Sequence, residues 1–277
     1  MVEVAVIAPG AMGAGVARRL GEHGVKVRTW LEGRSPASVA RAAEAGMRAV
    51  DLAGIAEADI VLSIVPPAEA MKLAQRLAPV LAAAGKPPVY VDCNAVSPQT
   101  VLLIQAAMPG VRFVDAGIIG LPPKPGGPAP VLYAAGPDAA LLSVLSDYGI
   151  PVTVLSGPIG AASGLKMSYA GINKGLTGLA AAMILAATRC GAAADLRTEL
   201  AASQPQLLAR FRSSLPGMLP KAYRWVAEME EIGDFASEVP GVTEIYHGLA
   251  KLYAALAADA DGAQLDAAAL KAFLEGI

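Results

Sequence analysis

Lys166 lies in a segment whose other residues are mostly apolar, and its spacing to further polar residues is compatible with catalysis. On a helix, Lys166, Tyr169, Asn173, Lys174 and Thr177 fall at i, i+3, i+7, i+8 and i+11, along one polar stripe. The other positions carry small or apolar residues, the composition of a buried helix. A solvated helix face would also explain the stripe. Because a buried lysine costs stability without a partner or a function, we treat Lys166, Tyr169, Asn173 and Lys174 as candidate catalytic residues.

A glycine-containing turn near the start of the chain is the second chemical signal. The turn follows a strand-like run and opens a helical one, and its first position is Ala8, where a dinucleotide fingerprint usually has glycine. Gly10 would let the backbone approach a pyrophosphate, and Gly13 would let the helix pack on the strand. The helix N-terminus would supply amides to the phosphates. The turn therefore predicts a cofactor site that includes Pro9, Gly10, Ala11, Met12 and Gly13.

The residues after the second strand bear on the choice between NAD and NADP. Glu32 stands where an acidic residue would bond the ribose hydroxyls of NAD. Arg34 and Ser35 follow Gly33, and an arginine with hydroxyls at a helix N-terminus suits the 2′-phosphate of NADP. Ser35 followed by proline is also an ordinary helix N-cap. We predict NADP as the cofactor, with NAD as the alternative, and place Glu32, Gly33, Arg34 and Ser35 at its adenosine end.

Two further loops follow predicted strands. Open α/β sheets bind ligands outside the carboxyl ends of their strands. We therefore expect Val65, Pro66 and Pro67 along the nicotinamide half of the cofactor and Asn94 beside the nicotinamide, where it is a further candidate catalytic residue. Ser97 is expected to cap the helix that follows.

The elements that would position these residues alternate between strand and helix up to about residue 157. This alternation predicts an α/β fold, a Rossmann-type doubly wound, mostly parallel sheet, followed by an all-α C-terminal domain. The domains are expected over residues 1–157 and 158–277, and the proline-rich segment Leu121–Pro130 is expected to be an irregular loop. The predicted strands are Val2–Ala8, Val25–Leu31, Ile60–Val65, Val89–Asp92, Val111–Ile118, Val131–Ala135 and Pro151–Leu155, and the first helices are Met12–His23, Pro36–Ala45, Ala68–Ala83 and Ser97–Met108.

Composition narrows the classes of partner. The 277 residues carry a formal net charge of −2 without a basic block, which argues against nucleic acid and anionic membrane as partners. The two cysteines, Cys93 and Cys190, and the two histidines, His23 and His247, do not form a metal-binding pattern, so no metal is expected. The charge-free stretches contain glycine and proline or are too short for a bilayer. These features favour a cytoplasmic protein.

Three motifs together carry a family resemblance. The Ala-x-Gly-x-Met-Gly opening, Asp92-x-Asn94, and Gly160-x-x-x-Gly164-x-Lys166 resemble the β-hydroxyacid dehydrogenase and 6-phosphogluconate dehydrogenase superfamily. Leu31–Pro36 and Arg224–Glu231 resemble its branch with a short phosphogluconate-dehydrogenase-like helical C-terminal domain. The resemblance implies an NADP-binding domain, a helical domain for substrate binding and dimerisation, and a homodimer. It also implies hydride transfer between nicotinamide and a secondary alcohol or ketone of a small molecule.

The resemblance gives Lys166 the role of a general acid/base that binds the reacting oxygen. Burial and a positive nicotinamide ring would both lower the lysine's pKa toward neutrality. Two departures change the expected substrate. Ala170 replaces an asparagine, so that Tyr169 or Asn173 would have to supply its hydrogen bond. Ile119 and Leu121 occupy a turn that usually holds the substrate carboxylate with serine and glycine, which predicts a 3-hydroxyacid-like or bulkier apolar substrate.

Two alternatives stay open. Imine reductases share the architecture but generally carry aspartate or tyrosine at the lysine position, so Lys166 argues against that activity and Tyr169 only weakly supports it. A non-catalytic NADP-binding sensor would leave the polar stripe unexplained. Aromatic residues and a histidine in the second half could line a substrate pocket, although packing explains each more simply. They are Tyr223, Trp225, Phe235, Tyr246 and His247.

Overall fold

The first half of the chain forms one eight-stranded sheet in the computed structural model, which describes residues 2–275. The strand order is β3-β2-β1-β4-β5-β6-β7-β8. All neighbours are parallel except β6 and β7. The predicted doubly wound, mostly parallel sheet is therefore confirmed. The strands are β1 (Glu3–Ile7), β2 (Lys26–Thr29), β3 (Arg48–Ala49), β4 (Ile60–Ser63), β5 (Val89–Asp92), β6 (Arg112–Ile119), β7 (Val131–Ala135) and β8 (Val152–Val154).

Helices cover both faces of this sheet. Apolar side chains alternate along β1 between two cores: Val4 and Val6 belong to one, and Ala5 and Ile7 to the other. This alternation explains why the strand is apolar at every one of these positions. The helices are α1 (Ala11–Glu22), α2 (Pro36–Glu44), α3 (Leu52–Ala56), α4 (Pro67–Ala82) and α5 (Pro98–Ala106), with a 3₁₀ helix at Ala139–Tyr148.

Two short elements were not predicted. The strand β3 has two residues, and α3 has five, capped by the Asp51 side chain, which accepts a hydrogen bond from the Gly54 amide at 2.8 Å. Hydrophobic periodicity needs longer runs than these to be visible. The predicted caps Ser35 and Ser97 are confirmed, because each accepts a hydrogen bond from the amide three residues later. The segment Leu121–Pro130 is irregular, as expected.

The second half is helical. The chain divides into two compact units, one up to Met167 and one from Ser168 onward. The division falls inside the 29-residue helix α6. By length and composition α6 could cross a membrane, a test that a core helix also passes. The helices are α6 (Ala161–Arg189), α7 (Ala193–Ser203), α8 (Pro205–Met218), α9 (Ala222–Phe235), α10 (Val242–Asp261) and α11 (Leu265–Glu275), with a 3₁₀ turn at Leu219–Lys221.

Glycines let α10 approach α6 closely. A Cβ at Gly171 would lie 2.8 Å from the Tyr246 hydroxyl, and one at Gly178 would lie 2.6 Å from a methyl group of Leu249. The ring of Tyr253 lies beside Gly178 as well and is fully buried. Gly171 and Gly178 of α6 thus serve packing within the helical unit.

Candidate active site

The turn between β1 and α1 has the geometry of a phosphate-binding loop. A Cβ at Gly13 would lie 2.0 Å from the Ala8 carbonyl oxygen, so only glycine lets the helix pack this close to the strand end. Gly10 is the N-cap of α1 and provides no side-chain hydrogen bond, and a Cβ added there would meet no atom within 4 Å. The loop is exposed at Gly10 and Ala11. A helix N-terminus without a side-chain cap is suited to an anionic ligand.

The residues after β2 surround a buried tryptophan. Trp30 is 7% exposed, and its indole Nε1 donates to the Glu32 carboxylate at 3.3 Å. The guanidinium of Arg76, on α4, lies 4.2 Å from the Trp30 ring centroid and 3.5 Å from the same carboxylate. Glu32 therefore has a cationic neighbour at the place where the adenosine of a dinucleotide is expected. Arg76 was not singled out from the sequence.

A chain of polar contacts joins the α2 N-terminus to the glycine loop. The Ser35 and Ser38 hydroxyls lie 3.1 Å apart. Arg41 donates from Nη2 to the Ser38 hydroxyl and from Nε to the Pro9 carbonyl, each at 3.0 Å. Arg34 is half-buried and directly precedes Ser35. The predicted adenosine-end residues thus share one surface with the loop, and Arg41 adds a cation there that sequence reasoning missed.

Asn94 ties together the ends of β4 and β5. Its Oδ1 accepts from the Val65 amide at 2.8 Å, and its Nδ2 donates to the Ser63 hydroxyl and to an Asp92 carboxylate oxygen, each at 3.0 Å. The side chain is 2% exposed. It therefore fixes the loop that contains Val65, Pro66 and Pro67, and the group of Asn94 that faces Lys166 is its backbone carbonyl.

Asp92 is a fully buried acid in this network. Burial raises its pKa to about 6, against the hydrogen bonds from Asn94 and the attraction of Lys166, which lower it. Burial also raises the pKa of the Cys93 thiol and of the Tyr90 hydroxyl. The interior at the end of β5 therefore disfavours negative charge, because ions lose solvation there.

Lys166 reaches this same sheet edge from the first turns of α6. Its Nζ lies 3.4 Å from the Cys93 carbonyl oxygen and 3.5 Å from that of Asn94. The residue is half-buried. At the neighbouring strand, a Cβ at Gly117 would lie 3.2 Å from the Lys166 Cβ. The structure thus brings Lys166 and Asn94 together at the carboxyl ends of β5 and β6.

The other members of the polar stripe have partners within the helical unit. Asn173 donates to the Tyr169 carbonyl at 2.7 Å and accepts from Arg210 at 2.6 Å. Lys174 forms an ion pair with Glu228 and lies 5.3 Å from the Trp225 ring centroid. Stabilisation of the helical unit is enough to explain these hydrogen bonds of Asn173 and the ion pair of Lys174. Tyr169 is 52% exposed.

The remaining pocket candidates are spread over the helical unit. Trp225 packs edge-on against Tyr253 at 5.2 Å between centroids, and Tyr223 is 66% exposed. His247 lies 3.4 Å from the Asp234 carboxylate and against Gly233. Tyr246 packs on Gly171, and Phe235 ends α9. Within residues 2–275, no group of three or more His, Cys, Asp or Glu side chains could hold a metal ion.

Two known family models match parts of the chain. Residues 3–136 match the NAD binding domain of 6-phosphogluconate dehydrogenase, and residues 187–256 match a domain of unknown function, DUF1932. The first unit is therefore an NAD(P)-binding domain. Residues 3–136 thus resemble the NAD-binding domain of 6-phosphogluconate dehydrogenase, and the described chain has a hydroxyacid dehydrogenase-like fold.

Individual relatives extend this result. A solved conserved protein of unknown function, described as structurally similar to 3-hydroxyacid dehydrogenases, is 29% identical, with a TM-score of 0.79 over 94% of this chain and 98% of that one. Mycobacterium tuberculosis 3-hydroxyisobutyrate dehydrogenase with L-serine shares the fold at 20% identity and a TM-score of 0.75, over 94% of each chain. An uncharacterized 28.5 kDa protein of Methanothermus fervidus is 29% identical over 60% of this chain, and the match spans 64% of that relative's length.

Proposed function

We propose that the protein is an NADP-dependent oxidoreductase that transfers a hydride between nicotinamide and a secondary alcohol or ketone. The observation that carries this proposal is the position of the Lys166 amine against the Cys93 and Asn94 carbonyls, at 3.4 and 3.5 Å. An acid/base group at this position lies at the sheet edge where the domain's cofactor loop also lies. In alcohol oxidation Lys166 takes the hydroxyl proton, and in ketone reduction it returns one.

The residues present fit a dinucleotide. The open backbone at Gly10 and the α1 N-terminus supply amide donors for a pyrophosphate. The Asn94 side chain holds Val65 and Pro66 in place, so the surface beside the nicotinamide half of the cofactor would be rigid. Bound there, nicotinamide supplies the hydride acceptor or donor, while Lys166 binds the reacting oxygen and moves its proton.

The substrate class follows from the end of β6. Ile119 is half-buried and Leu121 is 82% exposed, and both follow Asp115 and Gly117 on the strand beside Asn94. Apolar side chains at this edge favour a 3-hydroxyacid-like molecule with a bulky apolar substituent over a small polar hydroxyacid. The test is a panel of 3-hydroxyacids, secondary alcohols, ketones and cyclic imines assayed with both cofactors in both directions. Turnover of imines alone, or of nothing in the panel, would contradict the proposal.

NADP is favoured over NAD by the cations around Glu32. Arg76 offsets the charge of Glu32, and Arg34 with the Ser35 hydroxyl offers donors for a 2′-phosphate. We expect Arg34→Ala to weaken NADPH binding about tenfold, or about 1.4 kcal/mol, and to leave NADH binding unchanged, as measured by nucleotide fluorescence titration. Arg112→Ala, at the opposite end of the strands, is the control. Equal affinity of the unmodified protein for NADPH and NADH would contradict the assignment.

A homodimer through the helical unit is part of the proposal. Ile172 and Leu179 of α6 and Ile245 of α10 are each more than half exposed and line an apolar groove of ≈ 530 Å³. A contiguous apolar surface of this kind typically binds a protein. Leu179→Asp should convert the dimer to a monomer in light scattering after size-exclusion chromatography. Leu265→Asp, at an exposed position of α11, should leave the dimer intact. A monomeric unmodified protein would contradict the proposal.

A further inference from the structure

Asp115 is a fully buried acid on β6 that the proposed mechanism does not use directly. It pairs in register with Asp92 on β5, and its side chain is 0% exposed. An acid in this position costs stability unless its oxygens are hydrogen-bonded. Its partners therefore indicate why it is there.

All the hydrogen bonds found for the Asp115 side chain come from the start of α6, more than 40 residues later. One carboxylate oxygen accepts from the amides of Gly160 and Ala162, both at 2.9 Å, and of Ser163, at 3.1 Å. The other oxygen accepts from the Ser163 hydroxyl at 2.6 Å. First-turn amides have no acceptor within their own helix, and a negative charge there is favourable. Asp115 thus acts as a helix cap supplied by a strand.

Ser163, the last residue that Asp115 contacts, lies three residues before Lys166. The same strand touches the helix again at Gly117, where a Cβ would lie 2.8 Å from the Ala162 carbonyl oxygen and 3.2 Å from the Lys166 Cβ. The two contacts fix both the rotation of the first turns of α6 and their distance from the sheet. The lysine amine is consequently held at the Cys93 and Asn94 carbonyls.

We infer that Asp115 is the positioning residue for Lys166. The inference rests on the proposed role of Lys166 as the proton-transfer group. Asp115 acts through the helix, and Gly117 serves the same purpose by permitting the close approach. Small displacements of a catalytic group cost rate even when the fold is kept.

The experiment measures how accessible the Lys166 amine is, with no substrate needed. The protein is labelled with acetic anhydride at fixed pH, and acetylation of Lys166 is quantified by mass spectrometry relative to exposed Lys72, whose side chain is 74% exposed. In Asp115→Ala, Lys166 labelling should rise severalfold relative to Lys72, because the helix start is released. Gly117→Ala should give the same change by pushing the helix away while the Asp115 carboxylate is still present. Ser163→Ala, which removes one of the four bonds, should give a smaller rise.

Asp51→Ala is the matched control, since it removes a cap carboxylate from α3 in the same unit. Its Lys166 labelling should match the unmodified protein. NADPH affinity should stay within about twofold in every variant, and kcat on a substrate found in the panel should fall about 100-fold in Asp115→Ala.

An unchanged Lys166:Lys72 ratio in Gly117→Ala and Ser163→Ala would overturn the inference, even if Asp115→Ala failed to fold. Failure of the proposed function gives a different pattern. In that case Lys166→Ala would retain turnover, while the labelling ratio would still report whether Asp115 positions the lysine.

Discussion

Lys166 and Lys174 occur on the same helix eight residues apart, yet their surroundings differ in kind. Lys174 has a carboxylate partner, Glu228, and the Trp225 ring beside it. The amine of Lys166 lies at two backbone carbonyls at the carboxyl end of β5 and also attracts the buried Asp92 carboxylate. An ion pair accounts for a lysine in an apolar helix through stability alone. Two carbonyls at the carboxyl ends of the strands hold the Lys166 amine where the proposed proton transfer requires it, so residue type and helix position do not separate the two proposed roles.

The largest expected effect is on catalysis. Lys166→Met should lower kcat by about 1,000-fold, within the range for loss of a general acid/base, and NADPH should still bind. Lys174→Met, measured per folded molecule in the same steady-state assay, should stay within a few-fold of the unmodified protein. If the two variants lose activity equally, the contrast between the lysines is wrong.

The second effect concerns stability, where the Lys174 variant rather than the Lys166 variant should show the larger loss. Lys174→Met leaves the Glu228 carboxylate without its partner and should lower the free energy of unfolding by about 2 kcal/mol. Urea denaturation followed by circular dichroism measures this change. The double variant Lys174→Met with Glu228→Gln should recover part of the loss. No recovery would indicate that the ion pair does not stabilise the helical unit.

A third effect is expected in the pH dependence of stability near Lys166. The folded-state pKa of Asp92 is raised to about 6 from 3.8, so the folded protein binds the proton more tightly than the unfolded chain. The contribution of this group is fully present below pH 3.8 and is lost as pH rises through about 6. Asp92→Asn should flatten the decline in unfolding free energy between these pH values. The same decline in both proteins would contradict the raised pKa of Asp92.

The sheet and the cofactor loop were predictable from the sequence because both rest on local patterns. Alternating apolar strands and helices, and the spacing of Gly10 and Gly13, are visible within short windows. The contacts around the candidate site join residues far apart in the chain. Asp115 reaches Gly160, and Arg76 reaches Glu32, and no periodicity connects these pairs. The one local hint was an acid inside the apolar run of β6, which indicates a buried partner without identifying it.

The polar stripe illustrates the same limit. Helical spacing correctly placed Lys166, Asn173 and Lys174 on one long helix. Spacing carries no information on which neighbours each residue meets. The partners of Lys166 lie at the end of β5. Those of Asn173 and Lys174 lie on α8 and α9. Arg210 and Glu228 are ordinary surface-type residues in the sequence, so their pairing was not predictable.

Trp30 and Trp225 are the two tryptophans of the chain, and they lie in different compact units. The Trp30 indole is stacked under the Arg76 guanidinium, and that of Trp225 lies beside the Lys174 ammonium. The protein therefore carries one tryptophan fluorophore per unit. With each tryptophan replaced by phenylalanine in turn, emission reports separately on nucleotide binding in one unit and on loss of packing in the other, without any added dye.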